Sequence, residues 1–257
     1  MSLATMLHSM TRRDFMVRQL PMALTFTLFA ALLLHGPIGQ FADYHQFADQ
    51  GSVLGIPHAG DVLSNLGFAG VALWAMFTAG PRLLRHPGWM LFVAGLMLTA
   101  IGSSYYHLAP ENARLLWDRL PIALTCAGLL AATHAMYVSA EHEGRNTLLL
   151  AGCAVLSVLW WRWTDLQGQG DLRWYLVFQI LPLVLIPIWQ ALARAPATER
   201  KLIAAAIALY AVAKLTELYD HQVQAVLLVV SGHTLKHCLA ALASLALVAL
   251  AQRYFRL

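Results

Sequence analysis

Eight long apolar runs, separated by short breaks that carry Pro, Gly or charge, leave this chain few folds to adopt. They are Leu20 to Leu34, Asp61 to Ala79, Trp89 to His107, Leu120 to Val138, Leu148 to Trp163, Leu172 to Ala193, Leu202 to Tyr219 and Ala225 to Ala251. Most reach the length of about 20 residues that a helix needs to cross a bilayer core. Charged residues make up only 12% of the chain, well below the roughly 25% of soluble domains. In hydrocarbon each backbone N–H and C=O must be satisfied within the chain, which selects helices or closed barrels. Runs of this length select helices. The expected fold is therefore all-α, a polytopic transmembrane helical bundle of seven core helices plus one extra N-terminal helix. No break, including Gly80-Pro81, Glu141 to Arg145 and Arg194 to Lys201, is long enough for a second domain. Residues 1–58 hold the N-terminal helix and an outer-face connection, and residues 59–257 hold the core.

The net charge of +4 comes without a basic run rich in aromatics, so nothing points to nucleic acid, and no charged tail or heptad indicates a protein partner. The basic residues instead orient the bundle. With the N-terminus inside and all runs spanning, Arg12, Arg13, Arg18, Arg82, Arg85, Arg145, Arg194, Arg200, Lys201, Arg253 and Arg256 are cytoplasmic. Only Arg114, Arg119, Arg162, Arg173 and Lys214 lie opposite, so both termini are expected inside an inner-type membrane. A competing reading takes Thr11-Arg12-Arg13-Asp14-Phe15 and the run behind it as a twin-arginine export signal, but no small-x-small cleavage site precedes Asp43. Cys126, Cys153 and Cys238 sit inside apolar runs without CxxC spacing, which indicates neither a disulfide framework nor a cysteine metal site and reads as core packing.

Against this apolar background, ionisable residues inside the runs are the functional candidates. Gly-Ser-Ser-Tyr-Tyr-His, 102 to 107, closes the third run. Trp-Asp-Arg-Leu-Pro, 117 to 121, opens the fourth, and Ser-Gly-His-Thr-Leu-Lys-His, 231 to 237, lies in the eighth. His233 and His237, four apart on a helix, share one face and can chelate one metal. His107, at a compatible depth, supplies a third ligand of an open zinc site whose fourth position takes water. Ser103 is one turn before His107 and can donate to a developing oxyanion. Asp118 can take a proton from the activated water.

The set Ser103-x-x-x-His107, Asp118 before Arg-Leu-Pro, and Gly232-His233-x-x-x-His237 resembles the alkaline ceramidase family, within a superfamily of seven-helix membrane hydrolases that also holds the adiponectin and progestin receptors. Asp61-Val-Leu-Ser64-Asn65 resembles the first core helix of that family, and the likeness spans roughly residues 41 to 251. It implies zinc on His107, His233 and His237, Asp118 as proton acceptor and donor, Ser103 as oxyanion stabiliser, and a long-chain lipid amide as substrate, cleaved to a sphingoid base and a fatty acid. The family's calcium site maps to the stretch from Asp43 through His58 to Asp61. A glutamate expected near His58 is missing, and Asp43, Asp49 and Asp61 are what remains to hold a hard cation. Lys236 replaces an aromatic residue of the family, and its ammonium is expected to snorkel to the headgroups or meet a polar lipid head.

Blander readings stand beside these. The three histidines could simply hydrogen-bond helices together, Ser103 could bond back to the carbonyl one turn earlier, and Asp118 could be an N-cap or first-turn carboxylate. Trp160, Trp161 and Trp163 with Trp174 and Tyr175 read as an interfacial belt. Haem ligation fails because two imidazoles four apart on one helix approach from the same side. A lipid-binding receptor or scaffold that kept zinc but lost turnover, or a hydrolase of another acyl amide or ester, are the alternatives to a ceramidase.

Overall fold

Leucine- and alanine-rich runs satisfy their own backbone groups by coiling, and the computed structural model, which describes residues 12–256, is 78% helical. In chain order it consists of α1 (Arg12–His35), a two-stranded hairpin β1 (Ser52–Val53) and β2 (Ile56–Pro57), α2 (Ala59–Ser64), α3 (Leu66–Leu83), α4 (Pro87–Leu108), α5 (Asn112–Tyr137), α6 (Glu143–Leu166), α7 (Arg173–Leu192), α8 (Ala197–Leu218), α9 (Asp220–Leu227) and α10 (Gly232–Tyr254). Among the described residues, six spans are long and apolar enough to cross a membrane: α2 with α3, then α4, α5, α6, α7 and α10. The pair α8 and α9, bent by 87°, makes a seventh if taken as one. The apolar stretch of α1, Gln19–His35, is shorter than these. Thr11 and the side chains of Arg12 to Phe15, which carry the export-signal reading, lie outside the described residues.

Of the boundaries that differ from the sequence reading, two bear most on the site. The eighth run does not form one helix: α9 ends at Leu227, Leu228 takes a left-handed φ of 65°, and α10 starts at Gly232. The chain turns there because Ser231 caps α10, its hydroxyl accepting from the Thr234 N–H at 2.9 Å, in the way N-caps satisfy the free donors of a first turn. Composition does not register such a break, since both sides are apolar. In the fourth run, the helix begins at Asn112, well before the apolar residues, with Glu111 as N-cap. Asp118 is therefore about two turns inside α5, and the N-cap or first-turn reading of it fails.

The bundle is held less by hydrophobic transfer, which hydrocarbon supplies to either partner, than by close packing of small residues. Gly88, Gly95 and Gly102 fall seven apart on α4, a spacing near two helical turns that keeps them on one face. A Cβ on Gly95 would lie 3.0 Å from Thr125 Cα, and one on Gly88 would lie 2.8 Å from Ala132 Cα. At Gly102 it would run into the Trp117 carbonyl. The glycine face thus lets α4 and α5 pack backbone to backbone, which brings the Ser103 turn against the Asp118 turn. Trp89, Phe92 and Leu96 of α4 continue the packing into a core with Leu130, Val248 and Leu250.

Polar ties gather at the two ends. At one end, Leu172 N–H donates to Ile38 O at 2.8 Å, Gln40 to Asn112 at 3.0 Å, Asn112 to Asp165 at 2.7 Å and Ala48 N–H to Asp220 at 2.8 Å. Asp171 is the densest of these knots. Burial pushes its carboxyl up, but hydrogen bonds from Arg173, Trp160 and the Ile38 N–H outweigh that and hold it below the usual carboxylate range. At the other end, Tyr137 donates to Glu199 at 2.9 Å and His86 faces Glu143 at 3.5 Å.

Candidate metal centre

α4 carries His107 in its last turn and α10 carries His233 and His237 in its first two, and all three imidazoles are buried. One ligand atom from each lies within 4.8 Å of the others, and this is the only such group of His, Cys, Asp or Glu among the described residues. The ring centroids are 4.8 Å apart for His107 and His233, 5.1 Å for His107 and His237, and 4.8 Å for His233 and His237. No hydrogen bond joins the three rings to one another, although His237 ties α10 to α2 through Asp61 and Ser64.

The surrounding groups suit a metal. His237 Nδ1 lies 3.1 Å from the Asp61 carbonyl and 2.9 Å from Ser64 Oγ. A carbonyl only accepts, so Nδ1 holds the proton and Nε2 keeps its lone pair for a ligand bond. This is the arrangement by which an outer partner fixes the tautomer and orientation of a metal-ligating histidine. His107 Nδ1 is buried with no hydrogen-bond partner, an orphaned polar atom of the kind that calls for an explanation. Three nitrogen donors from two helices fit the protein ligands of a catalytic zinc set in type and number.

Ser103 and Asp118 flank the cluster. Both are buried, Ser103 one turn before His107 on α4 and Asp118 on the facing α5. Asp118 does not belong to the converging ligand atoms. Phe47, from the segment before the hairpin, lies over the rings at 4.7 Å from His107 and 4.4 Å from His233.

Asp43, Asp49 and Asp61 do not converge on a common point. Asp43 is exposed. Asp49 accepts from the Gly51 N–H at 2.9 Å and the Asp61 N–H at 3.0 Å, which closes the hairpin onto α2. Asp61 accepts from Ser231 at 2.9 Å and Thr234 at 2.6 Å, pinning the start of α10. Asp49 and Asp61 thereby organise the start of the histidine helix. Lys236 does not snorkel: its Nζ is 2.5 Å from Glu217 Oε1 and 3.3 Å from His233 Nε2. Lysine only donates, so that His233 nitrogen offers a lone pair which serves either the ammonium or a metal.

The aromatic belt is also only partial. Trp160 and Trp163 are exposed, but Trp161 is fully buried and Tyr175 nearly so. Residues the sequence reading passed over include Asp220, whose carboxylate takes the Ala48 N–H at 2.8 Å and the His233 N–H at 2.7 Å, and Phe47 and Glu217. Ser64 stands in a quoted motif, yet no spacing rule ties it to a histidine 173 residues away.

The fold and site define an all-α protein with six or seven membrane-length helices and a buried three-histidine cluster able to hold a metal ion. Compared with protein-family models, curated proteins and solved structures, the chain matches none.

Proposed function

We propose that this protein is an integral-membrane zinc-dependent hydrolase that cleaves the amide bond of a ceramide-like lipid to a long-chain base and a fatty acid. The observation that carries the reading is the convergence of His107, His233 and His237 within 4.8 Å, with Ser103 buried one turn before His107 and Asp118 buried on the facing helix α5. Motif spacing similar to that of the alkaline ceramidases supports the substrate class. These three imidazoles would hold the ion, which when bound acidifies water and polarises a carbonyl.

The chain's own groups do the rest. Asp118 accepts the proton of the attacking water and returns it to the departing amine nitrogen. Ser103 has one hydroxyl proton, which turns to the carbonyl oxygen as charge builds there. Phe47 and the buried surroundings exclude bulk water, which strengthens each of these contacts.

Two variants test the reading with purified protein, zinc analysis and a long-chain acyl amide assay. Asp118→Ala is expected to abolish hydrolysis while zinc stays stoichiometric. His233→Ala is expected to drop zinc below one per chain. Unchanged zinc in the latter, or full activity in the former, removes the proposal.

A further inference from the structure

Arg119 follows Asp118 on α5, about 100° around the helix, and its guanidinium reaches Trp161 of α6 and Tyr175 of α7. It is 2% exposed. Its guanidinium lies 4.0 Å from the centre of the Trp161 ring, 5.1 Å from that of Tyr44 and 5.5 Å from that of Tyr175. Only Nη2 has a hydrogen bond, donated to Gln40 Oε1 at 2.7 Å, whereas Nε and Nη1 are buried without partners. Trp161 Nε1, in the ring the guanidinium covers, is buried and unpartnered as well.

The neighbouring arginines sharpen the anomaly. Arg114 pairs with Glu111, Arg162 with Asp165 and Arg173 with Asp171. Each of these is more exposed than Arg119, yet Arg119 makes no salt bridge among the described residues. Aromatic faces offset part of the cost of a buried guanidinium, but a ring face neither accepts two in-plane N–H bonds well nor cancels the charge. A buried cation with free donors is a site that wants an anion.

We infer that Arg119, with the Trp161 indole N–H, is a binding site for the anionic oxygens of an amphiphile, a carboxylate or a phosphate monoester. Each of the free donors Nε and Nη1 shares an edge of the guanidinium with Nη2, which has a second proton besides the one given to Gln40, and one such edge takes two oxygens side by side. The aromatic walls suit the hydrocarbon next to such a head. Gln40 and Tyr44, from the segment between α1 and the hairpin, close the outer side.

The test measures binding and so does not depend on turnover or on the zinc assignment. Purified protein is titrated with dodecanoate, dodecyl phosphate and the neutral dodecanamide, and thermal stability is read. At least one anionic probe is expected to raise the melting temperature where the amide does not, and which one does so separates carboxylate from phosphate. Trp161→Phe, which keeps the ring and removes the donor, is expected to weaken that probe about tenfold. Arg119→Gln is expected to abolish the shift and Arg119→Lys to keep part of it. Equal shifts for the amide and the anions, or an undiminished anion shift in Arg119→Gln, overturn the inference. If Arg119→Gln does not fold, an unweakened probe in Trp161→Phe does so.

Discussion

Ser64 shows what a single hydroxyl contributes at this site. It touches His237 at Nδ1 and donates to the same Asp61 carbonyl at 3.1 Å that the imidazole uses. Removing it leaves the carbonyl to hold the ring alone. Ser64→Ala is expected to lower zinc affinity about 10- to 100-fold with helical content unchanged, measured by competition with a metal chelator. Unaltered affinity would make Ser64 a bystander. At this scale the histidines, Ser103 and Asp118 were legible in the sequence, because polar residues in apolar runs stand out and helical spacing fixes their faces. Lys236 and Trp161 were not, because a lysine near a helix end and a tryptophan cluster look the same from the sequence whether they face lipid or protein. Their partners, Glu217 and Arg119, lie on other helices.

Among the elements, α4 against α5 decides whether the site exists. The glycine face on α4 is what permits the approach, and Gly102 is its point nearest the site, one residue before Ser103. Gly102→Ala puts a methyl into the Trp117 carbonyl and must push the helices apart. Overpacking of this kind costs roughly 1–3 kcal/mol, so a lower melting temperature is expected together with reduced hydrolysis. Gly152→Ala on α6, where a Cβ would have nothing within 4 Å, is the control and should melt like the parent. Equal melting of the two variants would mean that the face does not set the spacing. The helices themselves were legible as apolar runs. The turn between α9 and α10 was not, because it depends on a serine cap and on Gly232, whose Cβ would strike the Thr216 carbonyl and come within 2.7 Å of Asp220 Cα.

For the molecule as a whole, the connections after α1, α4, α6 and α8 meet at one end, tied by Ile38 to Leu172, Gln40 to Asn112 and Ala48 to Asp220. α1 reaches that end beside α7, where Phe29 stacks on Trp174 at 5.5 Å and Arg173 donates to Leu32 O. Its apolar stretch Gln19–His35 extends about 26 Å at 1.5 Å per residue, a little short of a core of about 30 Å. With α1 counted as a span, the Lys and Arg bias predicts that both termini face the cytoplasm and that the histidines lie toward the outer face. Reporter fusions at each terminus and in the connection between α6 and α7 check it: signals from both termini inside and from the connection outside are expected. A terminus reporting from outside would reverse the arrangement.

Asp220 grips the backbone beside Phe47 with one oxygen and that of His233 with the other. The cover over the imidazoles and the helix presenting two of them therefore share a single fastener. On the proposed reading, a movement of Phe47 that admits a long chain pulls on the helix presenting two of the ligands, which ties admission to retention.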